Sequence, residues 1–301
     1  MLYKTMPMAL LSLIPSVGIC IFVYFKDKKE KEPLWLLASL FAVSAAVYVP
    51  VYYLGRGLIN GIFDSAFRST THLGTGMTSW ASPSSETAHH VLCATVGIAI
   101  VEEAVRWLIL YFFTNKSRYF NCTFDGVVYS VVVSMGAALA GNLRYAVVDG
   151  WDQFLYRFLH SFPWYLLFGI VMGVFFALWH TRRRANRTEN RLIDEGKLKK
   201  DKLRYPIGTL LLSLAVPIAL HAVYSYVFEQ LRSRSPMMNL AFYIVAAVMM
   251  AVCVVLIIVL SRRDRSEREA IEEIIEEEHG DLPDEYYDTD PAANNGEADD
   301  K

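Results

Sequence analysis

The run from His89 to Phe113 restricts this chain more than any other stretch. It is apolar and long enough to cross a bilayer, yet it holds Glu102 and Glu103 side by side with Arg106 one turn on. A spanning helix takes about 20 apolar residues, and an ionisable group near its middle costs at least about 2.5 kcal/mol on insertion scales. Such groups face a bundle interior. Glu102 and Arg106, four apart, share a helix face, whereas Glu103, three from Arg106, is turned away by about 100°. One reading is a structural Glu-Arg pair that fixes helix packing. The other places one acid in the ion pair and the second in a polar cavity.

Six more apolar runs accompany this one in a chain of 301 residues that is 54% hydrophobic and only 20% charged. The pattern predicts an all-α polytopic membrane protein, a bundle of about seven transmembrane helices at residues 8–25, 34–54, 89–113, 124–148, 160–180, 206–228 and 237–260. The membrane domain then occupies residues 1–262, and an acidic cytoplasmic helix with a disordered tail follows at 263–301. Cys20, Cys93, Cys122 and Cys253 are scattered singly, which indicates neither a disulfide framework nor a thiolate metal site.

Basic residues alternate between connections. Lys26 to Lys31, Lys116 with Arg118, Arg182 to Arg204, and Arg262 to Arg268 fall on one side, which predicts an amino terminus outside and a carboxyl terminus in the cytoplasm. The first run is read as a retained anchor, because its basic cluster follows it. The connection from Gly55 to Ala88 is rich in Ser, Thr and Gly, with an amphipathic piece at Leu58 to Phe67, and is expected to form an interfacial helix and a loop. The basic segment at 182–204 lacks interleaved aromatics, so it reads as a membrane-facing topology signal and not as a nucleic-acid site. Small residues from Ser134 to Gly141 in the fourth run suit close helix packing.

Four polar residues fall in the outer half or near the centre of their spans: Glu102, Asn142, His160 and His221. Buried Glu, Glu, His and His on three helices suit zinc-assisted hydrolysis, in which imidazoles and a carboxylate hold the metal and a second carboxylate accepts a proton from water. Each histidine also has a plainer reading, as a hydrogen-bonded packing residue.

The sequence resembles the PrsW family of intramembrane metalloproteases, relatives of the CAAX-processing and bacteriocin-processing membrane proteases. The resemblance rests on Lys26-Asp-Lys-Lys-Glu-Lys-Glu-Pro33, Glu102-Glu103-Ala-Val-Arg106, Asp125-Gly-Val-Val-Tyr129, Asn142 with Tyr145, His160, and Leu220-His221. It implies that Glu102 and Glu103 contain the catalytic acid-base pair, with His160 and His221 as metal ligands, zinc as cofactor, and Arg106 and Asn142 in support. It also implies a bacterial plasma-membrane location and a single-span membrane protein as substrate, such as an anti-sigma factor, cut near the outer face. Three positions depart from the family pattern: Ala137 and Gly141 replace its Phe and Glu, and Arg106 replaces its Lys. A catalytically silent member that binds membrane partners is therefore the competing expectation. A proton-coupled transporter ranks below it, because no internal repeat is visible.

Overall fold

The computed structural model describes residues 2–69, 79–80, 91–148, 150–198, 206–231 and 236–280. Within these, the side chains of residues 2–5, 63–69, 79–80, 94, 150, 152–153, 156–157, 160, 228–231 and 236–239 are outside the description. The chain is helical almost throughout: α1 (Leu2–Lys26), α2 (Leu34–Phe67), α3 (Ile98–Thr114), α4 (Asp125–Val148), α5 (Gly150–Asp194), α6 (Ile207–Leu231), α7 (Pro236–Arg262) and α8 (Glu267–His279). Two two-residue strands, β1 (Arg68–Ser69) and β2 (Ser79–Trp80), pair antiparallel, Arg68 with Trp80. The protein is an all-α, polytopic integral membrane protein.

Among the described residues six helices are long and apolar enough to cross a membrane, and they lie in α1, α2, α4, α5, α6 and α7. The acid-bearing run differs for a visible reason. Residues 91–114 are helical without a break, but a π-turn at Cys93–Gly97 precedes a regular α3 of only 17 residues. Thr95 donates its hydroxyl to the Val91 carbonyl within that turn (2.7 Å). Such bulges insert a residue and re-aim the side chains that follow.

The helices are layered around α4. Of its most apolar window 94% is buried within the protein, against 22% for α1, α6 and α7. The outer helices turn Leu10, Ile14, Phe25, Leu211 and Val248 outward, as lipid-facing surfaces do. Glycines allow the inner helices to touch. A Cβ on Gly136 of α4 would stand 2.4 Å from the Phe41 carbonyl oxygen of α2, and one on Gly126 would stand 2.7 Å from the Gly173 carbonyl oxygen of α5. Dispersion across such close approaches substitutes for the hydrophobic effect, which is weak between helices in lipid.

One expectation for the connections is revised. The amphipathic piece at 58–67 is no separate interfacial helix but the end of α2, which runs 34 residues through Pro50. The basic segment begins as helix too, because α5 continues through Asp194. The acidic helix α8 does not project away. Ile271 and Ile275 pack on Ala185 and Leu192 of α5, and Arg182 pairs with Glu278 (2.6 Å), Arg184 with Glu267, and His279 with Glu189 (2.7 Å). A capping box starts α8, with Glu269 N donating to Ser266 Oγ at 3.3 Å and Ser266 N to Glu269 Oε2 at 3.0 Å.

The same end of the bundle collects the basic connections. Lys29 pairs with Glu269 (2.5 Å), Arg183 donates to Asn115 Oδ1 (2.6 Å), and Thr123 N donates to the Arg265 carbonyl (2.9 Å). Residues 27–33, 115–124 and 263–266 are thereby knitted into one layer.

Gly136→Ala should destabilise the protein by about 1–3 kcal/mol, the usual cost of overpacking. Gly18→Ala, whose Cβ would meet nothing within 4 Å, should leave the detergent-solubilised unfolding midpoint unchanged. Equal midpoints for the two variants would contradict the close α2–α4 contact.

Candidate active site

Helices α2 and α3 cross at glycines: a Cβ on Gly55 would lie 2.3 Å from Val101 Cγ1, and one on Gly97 would lie 2.3 Å from Ile59 Cγ2. That crossing brings Tyr48 of α2 against the acids of α3. Glu102, Glu103 and Arg106 are buried, at 2%, 0% and 1% exposure, so each depends on protein partners instead of solvent.

Glu102 is held by two phenols, Tyr48 Oη donating to Oε1 at 2.6 Å and Tyr165 Oη of α5 donating to Oε2 at 2.7 Å. The two hydroxyls stand 3.1 Å apart. Glu103 turns to the other side, as the 100° step requires. Its Oε1 takes the Arg106 guanidinium and lies 2.7 Å from His221 Nδ1 of α6. The bridge is closed by contacts among the partners. Arg106 Nη2 is 3.5 Å from His221 Nδ1 and 4.0 Å from Glu102 Oε2, and His221 Nε2 is 4.0 Å from Glu102 Oε2. Phe168 stacks on the imidazole (4.9 Å, 20°), and the guanidinium lies 4.7 Å from the centroid of the Tyr165 ring. These rings exclude lipid and fix both side chains.

The structure thus brings together Glu102, Glu103, Arg106 and His221. Asn142 is buried elsewhere on α4, where Ser161 Oγ donates to its Oδ1 (3.2 Å). Ser161 follows His160, whose backbone is within α5 and whose side chain is outside the described residues. Gly141, where the family pattern has Glu, faces Tyr48: a Cβ there would be 3.2 Å from Tyr48 Oη. The space next to the missing acid is filled by the tyrosine that holds Glu102.

Sequence reasoning passed over Tyr48, Tyr165 and Phe168. A phenol inside a membrane span was the available signal for the first two, since its hydroxyl needs a partner there. Phe168 carried none, being one apolar residue among many.

The fit to a metal is partial. Glu103 Oε2 is buried without a hydrogen-bond partner among the described residues. Carboxylate and imidazole are suitable zinc donors. Among the described residues, however, Glu102, Glu103 and His221 do not gather three donor atoms at one point, and Glu103 Oε1 is already shared by Arg106 and His221.

A sequence profile of the PrsW family, described as intramembrane metalloproteases, matches residues 32–259. The chain belongs to the PrsW family. Protease PrsW of Geobacillus kaustophilus is 27% identical over 213 residues, 70% of this chain and 75% of that protein. The Oceanobacillus iheyensis and Bacillus subtilis proteins of the same name are 23% and 22% identical over 218 and 219 residues, covering 80% and 81% of their own lengths. No solved structure matches. The PrsW match spans α2 through most of α7, and so includes every member of the buried cluster.

Removing one partner of a buried ion pair costs about 3–5 kcal/mol because the other charge is stranded. Arg106→Ala should therefore lower stability by about that amount, and Arg106→Met combined with Glu103→Gln by clearly less, as read from denaturant unfolding in detergent. Equal losses would mean that Arg106 acts through packing alone.

Proposed function

We propose that this PrsW-family chain is a metal-dependent intramembrane endoprotease, using zinc, that cuts single-span membrane proteins near the outer face of the bacterial plasma membrane. An anti-sigma factor type of substrate is the one the family resemblance implies. The observation that carries the reading is the meeting of Glu103 and His221 from two helices, with the second Glu103 oxygen buried and without a hydrogen-bond partner among the described residues. The gathering of basic connections at one end of the bundle supports a cytoplasmic carboxyl terminus.

Glu103 and His221 would hold the ion, with His160 as the further ligand that the family resemblance implies. Zinc, when bound, supplies a Lewis acid and makes water more acidic. Glu102, oriented by Tyr48 and Tyr165, accepts the proton from the attacking water and returns it to the leaving amine. The two phenols fix that carboxylate so that no reorientation is needed during the reaction. Arg106 balances the acids while the metal is absent and stands ready to meet negative charge developing on the scissile carbonyl. It contacts the same Glu103 oxygen as His221 and stands 3.5 Å from the imidazole, so an ion held by Glu103 and His221 would share its carboxylate with the guanidinium.

That same position favours one second reading. With Glu103 paired to both Arg106 and His221, and Glu102 satisfied by two phenols, the cluster is also a sound structural core for a silent, partner-binding member of the family.

In a reconstituted assay with a single-span substrate, Glu102→Gln should reduce cleavage by about 100-fold or more, the span of general acid-base catalysis. His221→Ala should lose both cleavage and bound zinc by elemental analysis. Cutting by both variants at the wild-type rate would remove Glu102 and His221 from the mechanism, and a wild type that neither cuts nor holds zinc would favour the scaffold reading.

A further inference from the structure

A second group of buried acids lies at the end of the bundle where the basic connections gather, away from the cluster on α3. Asp27 follows α1, Glu32 precedes α2, and Asp125 opens α4. All three are buried, at 0%, 3% and 0% exposure. One carboxylate oxygen from each lies within 4.8 Å of one from each of the others. Oxygen donors placed 2.0–2.6 Å around one ion stand up to about 5 Å apart, so the spacing suits a shared cation.

Acidic clusters are common, and the state of Asp27 distinguishes this one. Neither of its oxygens makes a well-formed hydrogen bond among the described residues, the Glu32 amide being the one donor acting on them, and Asp125 Oδ1, with the Glu32 carboxyl beside it, also lacks one. The other acceptors are in use. Asp125 Oδ2 takes the Asn121 and Cys122 amides at 2.8 and 2.7 Å, and Tyr129 donates to Glu32. Glu30 and Asp264 add further negative charge. Lys31, the nearest cation acting on Asp27, directs its ammonium to the Tyr24 carbonyl (2.7 Å) and the Tyr24 ring (4.6 Å). Burial pushes Asp27 up to about 6, with Asp264 and Glu30 adding to the rise and Lys31 and the Glu32 amide opposing it. Glu32 is pushed to about 7, chiefly by burial.

We propose that Asp27, Glu32 and Asp125 bind a hard divalent cation, of the magnesium, calcium or manganese kind, that fastens α1 and α2 to the start of α4. The donors are all oxygen, which selects these ions over zinc or copper. The residues come from two stretches that the hydrolytic cluster does not use, the Lys-Glu-Pro segment and the Asp-Gly-Val-Val-Tyr segment. The ion joins them across 93 residues of chain, from Glu32 to Asp125.

The test uses the full-length protein in detergent, stripped with chelator and titrated with manganese, with free ion read from its six-line paramagnetic resonance signal. Wild type should bind manganese, with calcium or magnesium competing, and the ion should raise the unfolding midpoint. Glu32→Gln and, separately, Asp27→Asn should each abolish that binding, and the pair guards against misfolding of either one. Glu103→Gln with His221→Ala should retain it, which separates this site from the hydrolytic cluster. Absence of binding up to about 1 mM, the limit for weak oxygen-ligand sites, would overturn the proposal. So would binding that survives both cluster variants, or a wild-type unfolding midpoint that manganese leaves unchanged, which would show that protons and not an ion neutralise the acids.

Discussion

The Arg106 guanidinium is the interaction on which the buried site depends. Two neighbouring carboxylates inside a membrane bundle repel one another and resist leaving water. One cation on the same helix, reaching Glu103 directly and Glu102 at 4.0 Å, makes the pair tolerable. Because Glu102 and Glu103 point in different directions, one guanidinium cannot serve both equally. Glu102 is accordingly completed by phenols from α2 and α5, and Glu103 by an imidazole from α6. The polar cluster therefore fixes the arrangement of four helices in a medium where apolar packing specifies little.

Substitution at Gly141 illustrates how such a site absorbs change. A glycine there leaves room for Tyr48, whose hydroxyl lies against both that position and Glu102. The family's missing carboxylate and this chain's phenol are thus neighbours in space though far apart in sequence. The phenol supplies a donor where the pattern would supply an acceptor, so the local charge is one unit less negative than a glutamate would make it.

Much of the architecture was legible in the sequence because bilayer thickness dictates helix length and backbone polarity dictates helix as the form. The Glu102–Arg106 spacing likewise announced a shared pairing. Other features depended on tertiary contact. Tyr48 and Tyr165 carry only the general signal of a phenol inside a span, which does not say what its partner is, and the docking of α8 needs Arg182 and Arg184 of a distant helix. The π-turn before α3 was hidden because its residues, Cys93 to Gly97, suit an ordinary helix, and only the fit to α2 reveals the extra residue. The proposed cation group was partly visible as two separate charged motifs. Their meeting is a property of the fold.

The near-complete enclosure of α4 bears on biogenesis. Its apolar window has a mean hydropathy of 1.6, half the 3.2 of α7, and its glycines, serines and Asn142 are matched to neighbouring helices and not to acyl chains. A segment of that character gains little by partitioning alone, so its stable place in the bilayer is created by the helices around it. Insertion of α4 is in this sense a cooperative event: the outer helices are the solvent in which it dissolves, and damage to any of them is felt first as failure of the centre to stay in the membrane.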